Sequence, residues 1–228
     1  MNRPRGPVKL EDCRLTGPGS GAELFVTEGD SAALAVSRVR DMRFQAVLPM
    51  QGKPLNTLKA GAGKVAANPF FSALAGALGT GWGGAFDARR RRYDRVLLLT
   101  DPDADGIHCG ALLLMFFYRW MPSLIELGHL EMVRPPLGEI VFANAGSPLY
   151  VYSEPQFKAL RAEMRKSPDR ERRAVRYRGL ASMNPAALAE QCVNPGTRHS
   201  RRLGAPDAEA AMEVFASLRE LPPQQQLL

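Results

Sequence analysis

The sequence has little cysteine: there are three residues, Cys13, Cys109 and Cys192, and no two of them form a CxxC pair. Their wide separation excludes the disulfide framework of a small secreted protein and a cysteine-based zinc site. We therefore predict three free thiols in a reducing compartment and a cytoplasmic location.

Long hydrophobic runs are also missing. The opening segment, MNRPRGPVKLEDCRL, carries positive charge but has no apolar core, so it is not a secretory signal. The longest apolar stretch, Ile107 to Tyr118, is too short to cross a bilayer and is typical of a buried helix. We expect no membrane partner.

Positive charge predominates in what is present. The 228 residues have a formal net charge of +7, and 45% of them are hydrophobic. This length and composition suit one core with a smaller appended unit. A polyanionic partner fits the charge, although many basic proteins share that balance.

Strand-like apolar runs alternate with helical patterns in the first part of the chain, which predicts an α/β fold with a Rossmann-like parallel sheet flanked by helices. The predicted strands are Glu23–Thr27, Gln45–Leu48, Val96–Thr100 and His129–Val133. The predicted helices run from Asp30 towards Val39, from Pro69 to Leu78, and from the aspartates near position 101 to Leu127.

The composition changes after about Phe142. Residues 158–178 hold nine lysines or arginines against three acids, and a last amphipathic helix is predicted from Asp207 to Leu221. We therefore divide the chain into an N-terminal domain at 1–142, a basic C-terminal extension at 143–203, and a terminal helix and tail at 204–228. The basic segment suits DNA-backbone contact and a solvated face about equally.

Three aspartates, Asp101, Asp103 and Asp105, follow an apolar run and precede a helix, and Glu28 follows the strand-like ELFVT in a similar position. An EF-hand would need a glutamate at the twelfth position from Asp101, where Leu112 stands. A solvated acidic turn in which Asp105 and Gly106 cap the next helix remains an alternative. If the two strands are neighbours, Glu28 faces the aspartates, and such carboxylates suit Mg²⁺.

Cations and glycine-rich turns give weaker signals. GTGWGG follows a helical pattern instead of a strand, and GAGKV lacks the residues of a phosphate-binding loop, so neither predicts a nucleotide site. Lys53 lies in a turn after a strand, where it could present a cation to a phosphate. His108 could orient a phosphate or a carboxylate, or cap the helix, and its spacing leaves these interpretations open.

Taken in order, several segments resemble the B subunits of type IIA DNA topoisomerases, the family of bacterial gyrase and topoisomerase IV, in their TOPRIM domain. These segments are KLEDC (9–13), ELFVTEGDSA (23–32), LPMQGKPLN (48–56), TDPDADGIH (100–108), FFYRWMPSLIELGHLEMVRPPL (116–137) and RYRGLASMNP (176–185). The family usually has a lysine at the position of Gln51. This chain therefore has one positive charge fewer along the expected DNA path. The resemblance implies a free-standing unit without the ATPase and transducer modules, and no ATP site in this chain.

The resemblance also implies roles for individual residues. Glu28 would act as general acid and base and reach a metal, and Asp101, Asp103 and Asp105 would hold one or two Mg²⁺ ions. Lys53, with Asp30, would line the DNA cleavage pocket and neutralise phosphate. His108 completes the catalytic candidates, and the DNA-binding candidates are Asp30, Lys53, Arg176 and Arg178.

The implied function is that of an isomerase: Mg²⁺-dependent cleavage and religation of double-stranded DNA, with an A-type topoisomerase subunit that supplies the tyrosine. A separate ATPase chain would be a further partner. The main alternative is a non-catalytic paralogue of these B subunits that binds DNA or the A-type subunit. A metal-dependent nuclease that acts alone fits the type IIA segments least.

Overall fold

The computed structural model describes residues 9–142, 147–166 and 172–220. Its strands are β1 (Glu23–Thr27), β2 (Gln45–Pro49), β3 (Arg95–Leu99), β4 (Leu130–Val133), β5 (Gly138–Phe142), β6 (Leu149–Val151), β7 (Arg172–Arg176) and β8 (Ser200–Arg202). Its α-helices are α1 (Asp30–Ser37), α2 (Ala62–Ala66), α3 (Pro69–Leu78), α4 (Ala104–Trp120), α5 (Pro122–Glu126), α6 (Glu154–Lys166), α7 (Pro185–Leu188) and α8 (Ala205–Glu220). Shorter helical turns lie at Gly83–Ala85, Ala88–Arg90, Leu180–Ser182 and Ala189–Val193.

The main sheet has the strand order β2-β1-β3-β4-β8. Its first four strands are parallel, and β8 pairs with β4 in the antiparallel direction at one edge. Thr27, the last residue of β1, pairs with Leu99, the last residue of β3. The predicted α/β fold with a parallel sheet is therefore confirmed, and the carboxyl ends of β1 and β3 lie side by side.

The two faces of the main sheet carry different helices. Leu24 and Val26 of β1 share a core cluster with α3 and α4, whereas Phe25 shares a second cluster with α1. The chain therefore leaves β1 towards one face and β3 towards the other. In open α/β sheets this divergence opens a crevice beyond the strand ends, and ligands bind there.

A smaller antiparallel sheet has the order β6-β5-β7. Leu137, Ile140, Val151 and Phe157 form its core with helix α6. Gly138 begins β5 where a Cβ atom would lie 2.4 Å from the carbonyl oxygen of Val175. Only glycine allows the two strands to approach so closely there.

The C-terminal part of the chain returns to the main sheet. Strand β8 extends that sheet, and Leu180, Met183 and Leu188 pack in the cluster that covers α1. Arg198 forms a buried ion pair with Glu23 at the start of β1, with 2.7 Å between nitrogen and oxygen. The division at 142 and 203 stays a prediction, and the described residues beyond 142 share cores with those before it.

Several local predictions need correction or comment. The single helix predicted up to Leu127 is in fact α4 and α5, because the backbone turns at Met121 (φ −142°, ψ 48°) before Pro122 starts a new helix. The tail after Glu220 lies outside the described residues. No helix in the described ranges is both long enough and apolar enough to span a membrane.

The three cysteines are free thiols, as predicted. Cys109 and Cys192 are buried, and burial raises the pKa of Cys192 to about 12, so this thiol stays protonated at neutral pH.

Candidate metal centre

Glu28 and Asp101 lie together at the crevice between β1 and β3. Glu28 directly follows β1, and Asp101 lies two residues after the end of β3. The backbone N–H of Asp101 donates to Glu28 Oε2 at 3.3 Å. Both side chains are partly buried. The parallel pairing of β1 with β3 therefore brings these two predicted acids into contact, although they lie 73 positions apart in the sequence.

Asp103 and Asp105 are exposed and have local partners. Asp103 is the N-cap of α4, and its Oδ1 accepts the N–H of Gly106 at 2.8 Å. Asp105 Oδ1 lies 3.0 Å from Lys53 Nζ. The helix is therefore capped by Asp103 and not by Asp105, the residue expected to cap it. Within the described ranges no three or more His, Cys, Asp or Glu side chains are gathered closely enough to hold a metal ion.

The acids nevertheless interact electrostatically. Burial raises the pKa of Glu28, and the negative charges of Asp101, Asp103 and Asp105 raise it further. Burial also raises the pKa of Asp101, with a smaller contribution from Asp103. Both carboxylates therefore lie where their negative charge is disfavoured, which is the condition that a bound cation relieves.

Two glycines allow the backbone to close around Asp101. A Cβ atom on Gly106 would lie 2.1 Å from the carbonyl oxygen of Asp101, and one on Gly179 would lie 2.5 Å from its Oδ2. The carboxylate also accepts the backbone N–H of Leu180 at 2.8 Å. The sequence prediction did not include Gly179 or Leu180 among the site residues. The one feature of the sequence that could have indicated them is the motif RYRGL, which contains both.

Lys53 and His108 lie near the same edge of the sheet, where Lys53 is exposed and His108 is partly buried. The pKa of His108 is lowered, first by burial and then by the positive charge of Lys53, while Asp105 opposes the shift. The imidazole is thus held in its neutral form, in which it can accept a proton or a hydrogen bond.

Arginines border the acids in three clefts. Glu28, Asp30, Asp101 and Arg178 line a cleft of about 470 Å³. Arg178 also lines a second cleft, of about 450 Å³, with Asp103 and Arg176. Arg176 Nη2 lies 3.2 Å from Glu154 Oε2 in an exposed ion pair, so part of its charge is balanced within the chain.

The third cleft, of about 660 Å³, extends from Asp101 to Arg134, Tyr152 and Arg201. Sequence reasoning selected Asp101 as a site residue but did not select Arg134, Tyr152 or Arg201. Arg134 follows β4 directly and therefore lies at the same edge of the sheet as the acids, which was an available signal. Arg201 lies in β8, a strand whose three residues are all exposed and give no apolar pattern.

Comparison with known proteins agrees with this geometry. The family model described as Toprim domain matches residues 23–135, which contain the four parallel strands and all four predicted metal ligands. The DNA gyrase B subunit of Thermus thermophilus is 39% identical and aligns with 97% of this chain and 35% of its own length. The corresponding gyrase proteins of Archaeoglobus fulgidus and Thermotoga maritima are 40% and 42% identical, and each aligns with 93% of this chain.

The chain spans about a third of the length of these curated relatives. The resemblance to type IIA topoisomerase B subunits is thus confirmed over nearly the whole sequence, and the parallel sheet with its acidic crevice is the part that the family model matches. Residues 23–135 of the chain form a Toprim domain, and the chain is a homologue of the DNA gyrase B subunits.

Proposed function

We propose that this chain provides the Mg²⁺- and DNA-binding half of a type IIA topoisomerase cleavage site. The observation that carries the proposal is the contact between Glu28 and Asp101 at the divergence of β1 and β3. This hydrogen bond, from the Asp101 backbone to the Glu28 carboxylate, brings two acids of raised pKa to one crevice, and arginines border that crevice.

The residues present fit a magnesium ion. Mg²⁺ binds through one or two carboxylates and completes its octahedron with waters and substrate phosphate, so it does not need a closed protein cage. Glu28 and Asp101 supply such a pair, with Asp103 and Asp105 close enough to raise the pKa of Glu28. When bound, Mg²⁺ would stabilise negative charge on the scissile phosphate and on the departing oxygen.

The side chains of this chain then have distinct tasks. Glu28, whose pKa is raised by burial and by the aspartates, is suited to donate a proton to the broken 3′ oxygen and to take it back during religation. Lys53 presents its ammonium group at the exposed edge, where it would neutralise a DNA phosphate. Arg178 borders the acids in two clefts and would contact the DNA backbone beside them.

The proposal includes the partners that the resemblance to the gyrase family implies. As a homologue of gyrase B subunits, the chain would work with double-stranded DNA and with an A-type subunit that supplies the tyrosine nucleophile. A separate ATPase chain would couple the reaction to nucleotide hydrolysis. The expected location is the cytoplasm.

Metal binding by the chain is the first test. Isothermal calorimetry should detect Mg²⁺ uptake in the presence of a short DNA duplex, and Glu28→Gln and Asp101→Asn should each weaken it by at least about tenfold, because each removes a charged ligand. Glu126→Gln, which changes an exposed acid on α5, is the matched control and should bind as the parent does. Equal uptake by all four proteins would remove the proposed site.

Cleavage in a reconstituted pair is the second test. The chain should be combined with an A-type subunit, and with an ATPase chain where one is found, and covalent protein–DNA adducts should be counted. Adducts that require Mg²⁺ and disappear in Glu28→Gln support the proposal.

A non-catalytic paralogue is the second candidate, and one observation favours it: Asp103 and Asp105 are already engaged by Gly106 and Lys53. That candidate predicts binding of the A-type subunit without adducts under any divalent ion.

A further inference from the structure

The turn at residues 178–182 lies against the carboxylate of Asp101. The backbone N–H of Leu180 donates to Asp101 Oδ1 at 2.8 Å, across 79 positions of sequence. This is a hydrogen bond to a charged acceptor, so it constrains the orientation of the carboxylate more strongly than a neutral contact would.

Gly179 allows this approach. Its φ angle of +139° lies in the region that favours glycine, and a Cβ atom there would lie 2.5 Å from Oδ2 and 2.9 Å from Cγ of Asp101. Real Cβ contacts are never that short, so a side chain at this position would displace either the turn or the carboxylate. Glycine at position 179 therefore allows both the backbone conformation of the turn and the close approach of the Asp101 carboxylate.

The turn is itself held in place. The side chain of Leu180 is completely buried in the cluster that includes Phe25 and Ala33. Ser182 Oγ accepts the N–H of Arg178 at 2.8 Å and donates to the carbonyl oxygen of Gly179 at 2.7 Å. Because the turn is anchored on both sides, it can hold a flexible carboxylate rather than follow it.

We infer that Gly179 and Leu180 are positioning residues of the metal centre: their backbone fixes Asp101 in the orientation that ligates the ion. This inference rests on the proposed function. It means that the extension beyond residue 142 contributes to the metal centre directly, in addition to the DNA contact predicted from its charge.

The experiment measures metal affinity in the full chain with Mn²⁺ as a spectroscopic probe, counted by electron paramagnetic resonance in the presence of a DNA duplex. Gly179→Ala should weaken Mn²⁺ binding by about tenfold or more, the usual effect of losing a group that orients a ligand. Gly17→Ala is the matched control: Gly17 also has a positive φ, of +106°, but a Cβ atom there meets nothing within 4 Å. Both variants carry backbone strain, and only the first touches Asp101.

The outcomes separate the two claims. If the parent chain binds no Mn²⁺, the proposed function fails and this inference fails with it. If the parent binds Mn²⁺ and Gly179→Ala binds it equally well, or if Gly17→Ala loses as much affinity as Gly179→Ala, the inference alone is overturned.

A second measurement covers the case in which Gly179→Ala does not fold. In the parent chain, the Leu180 amide resonance should shift during a Mg²⁺ titration with the same midpoint as that of Asp101, because the two groups share a hydrogen bond. The inference would be contradicted if the Leu180 amide resonance stayed unchanged while the Asp101 amide resonance shifted on addition of Mg²⁺.

Discussion

The buried ion pair between Arg198 and Glu23 allows a quantitative prediction. Both Arg198 terminal nitrogens lie 2.7 Å from Glu23 carboxylate oxygens, and the two side chains are 2% and 1% exposed. Arg198→Met removes the guanidinium but keeps a long apolar side chain. Glu23 then remains buried with a charge that has lost its bidentate partner.

The expected cost is about 3 kcal/mol of unfolding free energy, the lower end of the range for breaking a buried pair. The lower end applies because Gln45 Nε2 still donates to Glu23 at 2.9 Å, and Arg95 lies 3.6 Å away. For a chain of this size, that loss corresponds to a melting temperature lower by about 6–12 °C.

Urea unfolding followed by circular dichroism measures the effect. Arg201→Met is the matched control, since Arg201 pairs with Asp207 at 2.7 Å but its side chain is 63% exposed. An exposed pair contributes at most about 1 kcal/mol. If Arg198→Met costs less than about 1 kcal/mol, or no more than Arg201→Met, then this pair does not tie the C-terminal part of the chain to β1 in the way that the geometry indicates.

Three further predictions follow from the acidic crevice. Burial, with the neighbouring aspartates, raises the pKa of Glu28 above its ordinary 4.5, so the folded state holds that proton more tightly than the unfolded state does. The stabilisation that results from this proton is fully present below pH 4.5 and is lost as the pH rises through the raised pKa of Glu28. Glu28→Gln should therefore be more stable than the parent at neutral pH without divalent ions. Thermal melts at several pH values should show this difference in stability shrinking towards pH 4.5. Lys53→Ala should lower the slope of log affinity for DNA against log salt by about one, measured by fluorescence anisotropy, if its ammonium group meets one phosphate; an unchanged slope would remove Lys53 from the DNA path. Gly106→Ala should cost about 1–3 kcal/mol in urea unfolding, because its Cβ would lie 2.1 Å from the Asp101 carbonyl oxygen, whereas Gly63→Ala, which meets nothing within 4 Å on α2, should be neutral or slightly stabilising.

Much of the central fold could be predicted from sequence because its signals are local. Strands β1 and β3 are apolar runs buried on both faces, which is typical of parallel sheets, and each is followed by turn residues and a helix start. The pairing of Glu28 with Asp101 followed from one further assumption, that the two strands are neighbours. That assumption is correct, since β1 lies between β2 and β3.

The rest could not be predicted because its causes are distant in sequence. Strand β8 has the sequence Ser-Arg-Arg, with every residue exposed, and it becomes a strand only by pairing with β4. Arg198 meets Glu23 across 175 positions, and Leu180 meets Asp101 across 79. Unlike Glu28 and Asp101, the two residues of each of these contacts do not both follow predicted strands. No pattern in the sequence therefore links them, although the charge and composition of these segments can be read from it.

These long-range contacts imply that the proposed metal centre depends on more of the chain than the segment that the family model matches. That segment ends at residue 135, before the turn that holds Asp101 and before Arg198. Leu180, Met183 and Leu188 also cover the face of the sheet that α1 leaves open, and without them that face would expose apolar surface. The similarity to the gyrase B subunits extends over 93–97% of this chain. The orientation of Asp101 is a property of that whole length, because one side of the carboxylate is built by the strand that precedes it and the other by a turn from the extension.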